Sequence, residues 1–360
     1  MYINNIYIQN FRGFDSLEVD GFGRLNLIVG KNNVGKTALL EALMLAAGGV
    51  EPEVFLSLNK VREIFKLDVD AIRGFFYNLD FQNQPFIKSE WLAESGETSL
   101  RETHLVAVES NVFPVEEIDT GRSKANVLIA TPTDVRVNQF DLITKRKEND
   151  ETIVRVQFSS SGGGAVSVKG ETKLSEAIVF LPSTTTQEPT LRRVAYLKEN
   201  RLEGPLLELL QKIDSRIVGI EVINERLLVD VKGTAKLMPL GLLGDGLKKA
   251  MSIMATIIGT DSSTIVIIDE IENGLHYSVH KELWKDIITI ISRTRAQVFV
   301  TTHNIETLKY LQEVLEDDVE FQPKVRCYNI ARTKKAGFKA YKYTYKDFES
   351  ALEMETEIRN

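Results

Sequence analysis

The run Leu25-Asn26-Leu27-Ile28-Val29 stops at Gly30. The residues Gly30-Lys31-Asn32-Asn33-Val34-Gly35-Lys36-Thr37 then open a leucine pattern, Leu39, Leu40, Leu43 and Ala47, that ends at Gly48-Gly49. A short apolar run before a glycine reads as a buried strand, and apolar residues three and four apart read as one helix face. Strand, glycine loop and helix in this order place G-x-x-x-x-G-K-[ST] in the context the pattern requires. Glycines let backbone N–H groups turn inward, and the helix N-terminus adds partial positive charge, so the segment is built to cradle phosphate. The plainer alternative is a glycine-containing turn that binds nothing. In the cradle, Lys36 is expected to bridge the β and γ phosphates of a nucleotide and Thr37 to set its hydroxyl on Mg²⁺. Gly30, Lys31, Asn32, Asn33, Val34, Gly35 and Ala38 would complete the phosphate-binding wall.

A second chemical feature lies far along the chain. Ile265-Val266-Ile267-Ile268 is an apolar strand that delivers Asp269-Glu270 at its C-terminal end, where ligands of parallel sheets bind. Asp269 would hold Mg²⁺, and Glu270 would polarise an attacking water. A further apolar strand, Gln297 to Thr301, ends in Thr302-His303, 33 residues after Glu270. His303 is expected beside the carboxylates, bonded to the γ-phosphate and the water, with a strand-end cap as the alternative. The turn Gly244-Asp245-Gly246 precedes a helix with Leu247, Met251, Met254 and Ile258 on one face. A glycine turn at a helix start is a second anion site, which suggests a nucleotide held between two subunits; the alternative is an ordinary helix start with Asp245 as its cap.

Between these motifs, residues 51–79 carry helical patterns and about 86–181 a succession of β-like runs broken at 120–126, 145–151 and 159–164. Helical spacing returns over 190–213, two strands are expected at 218–223 and 226–231, and a helix across 278–292. The 51 acidic residues outnumber the 44 basic ones, for a net charge of −7, which excludes coating of nucleic acid by bulk charge. The segment Lys324 to Lys346 runs against that average, with eight Lys or Arg, no acid and five interleaved aromatics. That composition suits a DNA groove, or equally an edge hairpin whose tyrosines pack inward. No apolar run reaches the roughly 18 residues of a membrane span, and Met1 to Arg12 has no signal-peptide core; a cytoplasmic protein with no membrane partner is expected. A single cysteine, Cys327, excludes an internal disulfide. His276 and His280, four apart, lack an evident third ligand for zinc.

Taken together, Asn10-Phe11-Arg12-Gly13-Phe14, the loop from Gly30 to Ala42, Asp269-Glu270-Ile271-Glu272-Asn273-Gly274-Leu275-His276 and Thr301-Thr302-His303-Asn304 resemble the ABC-type ATPase heads of the SMC, RecF and OLD (overcoming lysogenization defect) group. The resemblance implies an α/β P-loop NTPase of ABC-ATPase type, a mixed sheet with a β-rich lobe and a helical signature subdomain. It implies one head over 1–360: a lobe 1–85 with Walker A, a β-rich insertion 86–189, and a lobe 190–360 with signature, Walker B, D-loop, H-loop and basic hairpin. It further implies that Gly244, Asp245 and Gly246 meet the partner's γ-phosphate in an ATP-driven homodimer, that Asn273 lies in the D-loop, and that Arg12 is near the phosphates. Gln82 and Gln84 both stand as Q-loop candidates.

Three departures mark the chain: Gly244 replaces the usual signature serine and Asp245 adds a carboxylate, no coiled-coil arm separates the halves, and only 57 residues follow His303, without a Toprim pattern. The expected function is an OLD-like ATPase that controls a separately encoded effector, such as a Toprim or HNH nuclease, in DNA repair or anti-phage defence. The alternatives are a slow or non-hydrolysing ATP-gated DNA clamp and the nucleotide-binding subunit of an ABC transporter.

Overall fold

Continuous apolar runs become strands covered on both faces. In the computed structural model every residue of Leu25–Val29, Thr264–Ile268 and Gln297–Thr301 is buried, as parallel strands flanked by helices require. The structure describes residues 1–49, 51, 54, 57–58, 62, 68–109, 117–119, 124–126, 137–147, 150–158, 164–170, 177–183, 187–261, 264–333 and 337–353. Most of the glycine-serine turn expected at 159–164, and Lys334 and Lys335 of the basic segment, lie outside them.

The chain opens with strands β1 (Tyr2–Phe11), β2 (Phe14–Val19) and β3 (Leu25–Val29), then helix α1 (Lys36–Gly48) and a short helix α2 (Val69–Arg73). Strands β4 (Phe86–Leu92), β5 (Thr98–Glu109), β6 (Glu117–Asp119), β7 (Lys124–Asn126), β8 (Val137–Lys147), β9 (Asp150–Phe158) and β10 (Gly164–Lys169) follow. Next come β11 (Ala177–Leu181), α3 (Gln187–Glu199), α4 (Gly204–Ile213), β12 (Ile217–Ile223), β13 (Arg226–Val231), β14 (Met238–Pro239) and α5 (Asp245–Ile258). The chain continues through β15 (Thr264–Ile268), α6 (Tyr277–Thr294), β16 (Gln297–Thr301), α7 (Ile305–Glu316), β17 (Val325–Thr333), β18 (Gly337–Tyr343) and α8 (Tyr345–Glu353).

Two compact units divide these elements. The first comprises Met1–Asn4, Asp20–Leu40 and Ser175–Asn360. Its six-stranded sheet has the order β11-β15-β16-β3-β17-β18. The neighbours from β11 to β17 are parallel, and β18 closes the edge antiparallel to β17. This arrangement sets β3, which leads into the glycine loop, directly beside β16, with β15 on the other side of β16. Helices α3 to α7 bury their apolar faces in one core with these strands, through residues such as Val194, Leu209, Met251, Met254, Ile287 and Leu311. Truncating one such fully buried side chain to alanine costs about 2–5 kcal/mol. Trp284 of α6 is buried with its indole N–H donating to the Thr307 carbonyl at 3.0 Å, so helices α6 and α7 are joined by a directed bond as well as by packing. Cys327 of β17 is 1% exposed, and burial pushes its thiol up to about 12.

The second unit comprises Asn5–Val19 and Glu41–Leu174. Its residues supply most of a seven-stranded sheet of order β10-β9-β8-β5-β4-β1-β2. The expected succession of β-runs is realised there as antiparallel ladders, β4–β5, β5–β8, β8–β9 and β9–β10. Alternation along β4, with Ile87, Ser89 and Trp91 buried, shows one face of that ladder turned to a core. No helix among the described residues is long and apolar enough to cross a membrane.

Candidate functional site

Gly30 ends β3 at φ +141°, and a Cβ at that position would sit 2.5 Å from the Ile330 carbonyl oxygen. Glycine is therefore demanded both by backbone conformation and by the close passage of β17. Asn33 takes the left-handed region at φ +62°, where asparagine is tolerated, and Gly35 follows at φ +96°. Helix α1 starts at Lys36, and the Lys36 ammonium donates to the carbonyls of Gly30 at 2.8 Å and Lys31 at 2.9 Å. Lys31, Asn32 and Asn33 are exposed, Val34 to Thr37 half-buried, and Ala38 buried. A glycine loop with its lysine folded over it, running into a helix start, has the form that the pattern predicts for a phosphate cradle.

The carboxylate pair is in the same unit. Asp269 follows β15 directly, and its Oδ2 lies 3.3 Å from the Thr37 hydroxyl, 232 residues away in sequence. Its other oxygen, Oδ1, accepts from the Thr301 hydroxyl at 2.5 Å. A threonine hydroxyl beside a carboxylate is a set of hard oxygen donors, which fits Mg²⁺: that ion takes one or two protein carboxylates and completes its shell with water and phosphate. Glu270 is half-buried and held at φ +46°, unusual for a non-glycine residue.

His303 stands at the end of β16, next to β15 in the sheet. Its side chain is 51% exposed, and Nδ1 lies 2.8 Å from Glu272 Oε1, which also accepts the His303 backbone N–H at 2.7 Å. Behind the pair, Lys249 of α5 is 3% exposed and its ammonium reaches the carbonyls of Pro182 at 2.9 Å, Ser183 at 3.3 Å and Asp269 at 3.4 Å. Burial pulls that ammonium down to about 8, against the opposing pull of Asp269, Glu270 and Glu272. Asn273 donates to the Ser183 carbonyl at 3.2 Å. Thr301 and Glu272 stand inside quoted motifs and Lys249 outside them, and sequence reading assigns none of the three a role.

The Gly244-Asp245-Gly246 turn caps α5, but through Gly244 as the N-cap; Asp245 is the first helical residue. The Asp245 carboxylate, 85% exposed, pairs with Lys248 at 2.8 Å instead of capping, which lowers its titration from the usual carboxylate range. A Cβ on Gly246 would meet the Gly274 carbonyl oxygen at 2.7 Å. The turn is thus packed directly on the Asn273-Gly274-Leu275 turn.

Arg12 belongs to the second unit, where its guanidinium makes two 3.0 Å bonds to the Glu41 carboxylate and stacks 4.0 Å from the Phe75 ring centre. Arg62 makes two 2.9 Å bonds to the same carboxylate. Gln82 and Gln84 are exposed in the loop before β4, also in the second unit. His276 is exposed ahead of α6, whereas His280 is buried with Nδ1 3.4 Å from the Thr307 hydroxyl. Among the described residues no group of three His, Cys, Asp or Glu could hold a metal. Most described residues of the basic segment pair as β17 with β18 at the sheet edge, and Tyr345 and Lys346 open α8. Tyr328 and Tyr345 are buried, Tyr328 donates to the Asp20 carbonyl at 3.0 Å, and Lys342 pairs with Asp20. Those aromatics are committed to packing.

The family described as "AAA ATPase domain" matches residues 1–161, and that described as "AAA domain, putative AbiEii toxin, Type IV TA system" matches residues 178–309. A Helicobacter pylori protein described as an ATP/GTP phosphatase is 29% identical over 351 residues, covering 90% of this chain and 92% of that protein. The DNA replication and repair protein RecF of Clostridium acetobutylicum is 27% identical over 156 residues, 43% of this chain and 39% of RecF. Among solved structures, the SMC head domain from Thermotoga maritima aligns with a TM-score of 0.45 at 12% identity, over 96% of this chain and 99% of that one. Models of AAA-type ATPase domains thus match residues 1–161, which run into the β-rich stretch, and residues 178–309; the fold is that of an α/β P-loop NTPase.

Proposed function

We propose that this protein binds ATP with Mg²⁺ and hydrolyses it, as an OLD-like head whose ATP-driven homodimer controls a separately encoded effector. The observation that carries the reading is the approach of the Thr37 hydroxyl to Asp269, a hydroxyl and a carboxylate brought within 3.3 Å at the open end of a phosphate cradle. Gly30 to Ala38 would wrap the phosphates with backbone N–H groups, and Lys36 would leave its loop carbonyls to bridge β and γ oxygens. Thr37 and Asp269 would hold Mg²⁺, which supplies charge neutralisation along the β and γ phosphates. Glu270 would draw the proton from the attacking water, and His303, braced by Glu272, would bond the γ-phosphate. Gly244 to Gly246 and Asn273 would meet the nucleotide of a partner subunit. The Helicobacter relative's description and both family matches support nucleotide hydrolysis. The descriptions of RecF as a DNA replication and repair protein and of the toxin–antitoxin family support a role in DNA repair or defence; the effector we propose for that role is a Toprim or HNH nuclease.

The test is Glu270→Gln. Phosphate release should stop, ATP should stay bound, and the dimer should become more stable in size-exclusion chromatography; unchanged turnover overturns Glu270 as the base.

A second reading, an ATP-gated DNA clamp with slow or no hydrolysis, is favoured by Asp245, whose exposed carboxylate stands at the N-terminus of α5 where a partner's γ-phosphate would approach. It requires DNA affinity that falls with salt and with charge removal at Lys334, Lys335 and Lys339. Absent or salt-independent binding refutes it.

A further inference from the structure

Thr301 gathers the three consecutive residues that follow the neighbouring strand β15 onto one side chain and one carbonyl. Its hydroxyl donates to Asp269 Oδ1 at 2.5 Å and accepts from the Glu270 backbone N–H at 2.8 Å, and its carbonyl accepts from the Ile271 N–H at 3.2 Å. Thr301 is 0% exposed. On its other side it pairs in register with Ile28 of β3, two residues before Gly30, and the next residue, Thr302, donates to the Ile28 carbonyl at 3.3 Å.

Each of these contacts restricts something the proposed chemistry depends on. With Oδ1 of Asp269 taken by a short bond, the carboxylate plane is fixed and Oδ2 is the oxygen turned to Thr37. Glu270 sits at φ +46°, a left-handed conformation that a non-glycine residue keeps only where the surroundings hold it. A relaxed, right-handed Glu270 would lose the alignment of its N–H with Thr301 and would aim its carboxylate elsewhere. The hydroxyl uses its one donor and an acceptor lone pair at once, a pairing that valine cannot make and serine can.

We propose that Thr301 is the positioning residue of this site: one buried hydroxyl orients the metal-binding face of Asp269 and locks the backbone that aims Glu270. The proposal deepens the ATPase reading and rests on it for the meaning of that alignment. It also couples the two motifs, because Thr301 pairs in register with Ile28 of the strand that leads to the glycine loop and its neighbour Thr302 donates to that residue's carbonyl.

The experiment compares wild type, Thr301→Val and Thr301→Ser, with thermal unfolding confirming that each is folded. Steady-state hydrolysis and Mn²⁺ affinity in the presence of ADP, measured by electron paramagnetic resonance, are read for each. Thr301→Val, which keeps the shape and removes the hydroxyl, should lower kcat by about 100-fold with KM for ATP changed less than about threefold, and should weaken Mn²⁺ about tenfold, on the scale of a lost metal-orienting partner. Thr301→Ser should restore both to within about threefold of wild type, since it returns the hydroxyl. Wild-type turnover and Mn²⁺ affinity retained in folded Thr301→Val overturn the proposal. Mn²⁺ weakened in Thr301→Val, with no hydrolysis by wild type, would remove the ATPase reading and leave Thr301's positioning of Asp269 standing.

Discussion

A single carboxylate oxygen of Glu272 receives both the backbone N–H and the ring Nδ1 of His303, at 2.7 and 2.8 Å, while its second oxygen is buried with no partner among the described residues. An ionised carboxylate only accepts, so Nδ1 is the ring nitrogen that carries the hydrogen in this contact. On the proposed reading Glu272 acts through His303. Replacing Glu272 with Gln should slow hydrolysis by about tenfold, the usual scale for loss of an orienting partner, with ATP binding kept. His303→Ala should slow it at least as much. The double variant should be no slower than His303→Ala alone, because two residues in one chain of contacts are not additive. A double variant slower by the product of the two single effects would mean that Glu272 has an independent role.

On the proposed reading Lys36 sets the strictest requirement for nucleotide binding. Its ammonium already lies against the loop carbonyls of Gly30 and Lys31, so the loop shape itself depends partly on that charge. Lys36→Ala should abolish binding of a fluorescent ATP analogue, with unfolding temperature little changed; retained affinity would exclude this loop as the phosphate site.

In the second unit, the Glu41 carboxylate is fully buried between two guanidinium groups, with side-chain exposures of 9% for Arg12 and 39% for Arg62. Removing one partner of a buried pair costs about 3–5 kcal/mol, whereas an exposed pair is worth about 1 kcal/mol or less. In urea unfolding, Glu41→Ala should be the most destabilising, Arg12→Ala next and Arg62→Ala the least. Equal losses for Arg12→Ala and Arg62→Ala would show that burial does not set this ranking.

Lys249 makes stability depend on alkaline pH. Its folded value of about 8 lies below the ordinary 10.5, because burial penalises the charged form. Between those values the unfolded chain binds the proton more tightly than the folded one, so stability rises with pH through that window. Below about pH 8 both states are protonated and the penalty is full. The total rise is about 3 kcal/mol at 1.36 kcal/mol per unit. Measured without nucleotide or Mg²⁺, the unfolding free energy of wild type should gain that much relative to Lys249→Met between pH 7 and pH 11. A difference independent of pH would mean that the ammonium is solvated.

Local patterns made the chemistry-bearing strands legible. Ile265 to Ile268 and Gln297 to Thr301 are β15 and β16 as read, and the helices expected at 247–258 and 278–292 are α5 and α6 with ends moved by no more than two residues, since apolar periodicity is a local property. The glycine loop was legible for the same reason. What escaped was the set of contacts made by sheet order. Thr301 meets Asp269 across 32 residues, and Glu272 meets His303 across 31, and no periodicity encodes which side chain a neighbouring strand presents. The Asp245 cap failed for a simpler reason: Lys248, one turn on, competes for the carboxylate, and Gly244 satisfies the cap geometry without a side chain. Arg12 was singled out by its motif, while its partners Glu41 and Arg62 became visible only when α1 and the 62 region came together in space.

The lone cysteine turns the parallel sheet into its own reporter. Cys327 sits on β17 against β3 with its thiol pushed to about 12, so at neutral pH almost no thiolate exists while the strands are closed. Reagents that attack thiolates can react only during excursions that open this part of the molecule. The labelling rate of one native residue therefore measures how often the strand pair behind the glycine loop comes apart, and a ligand that closes the loop would register as slower labelling without any engineered probe.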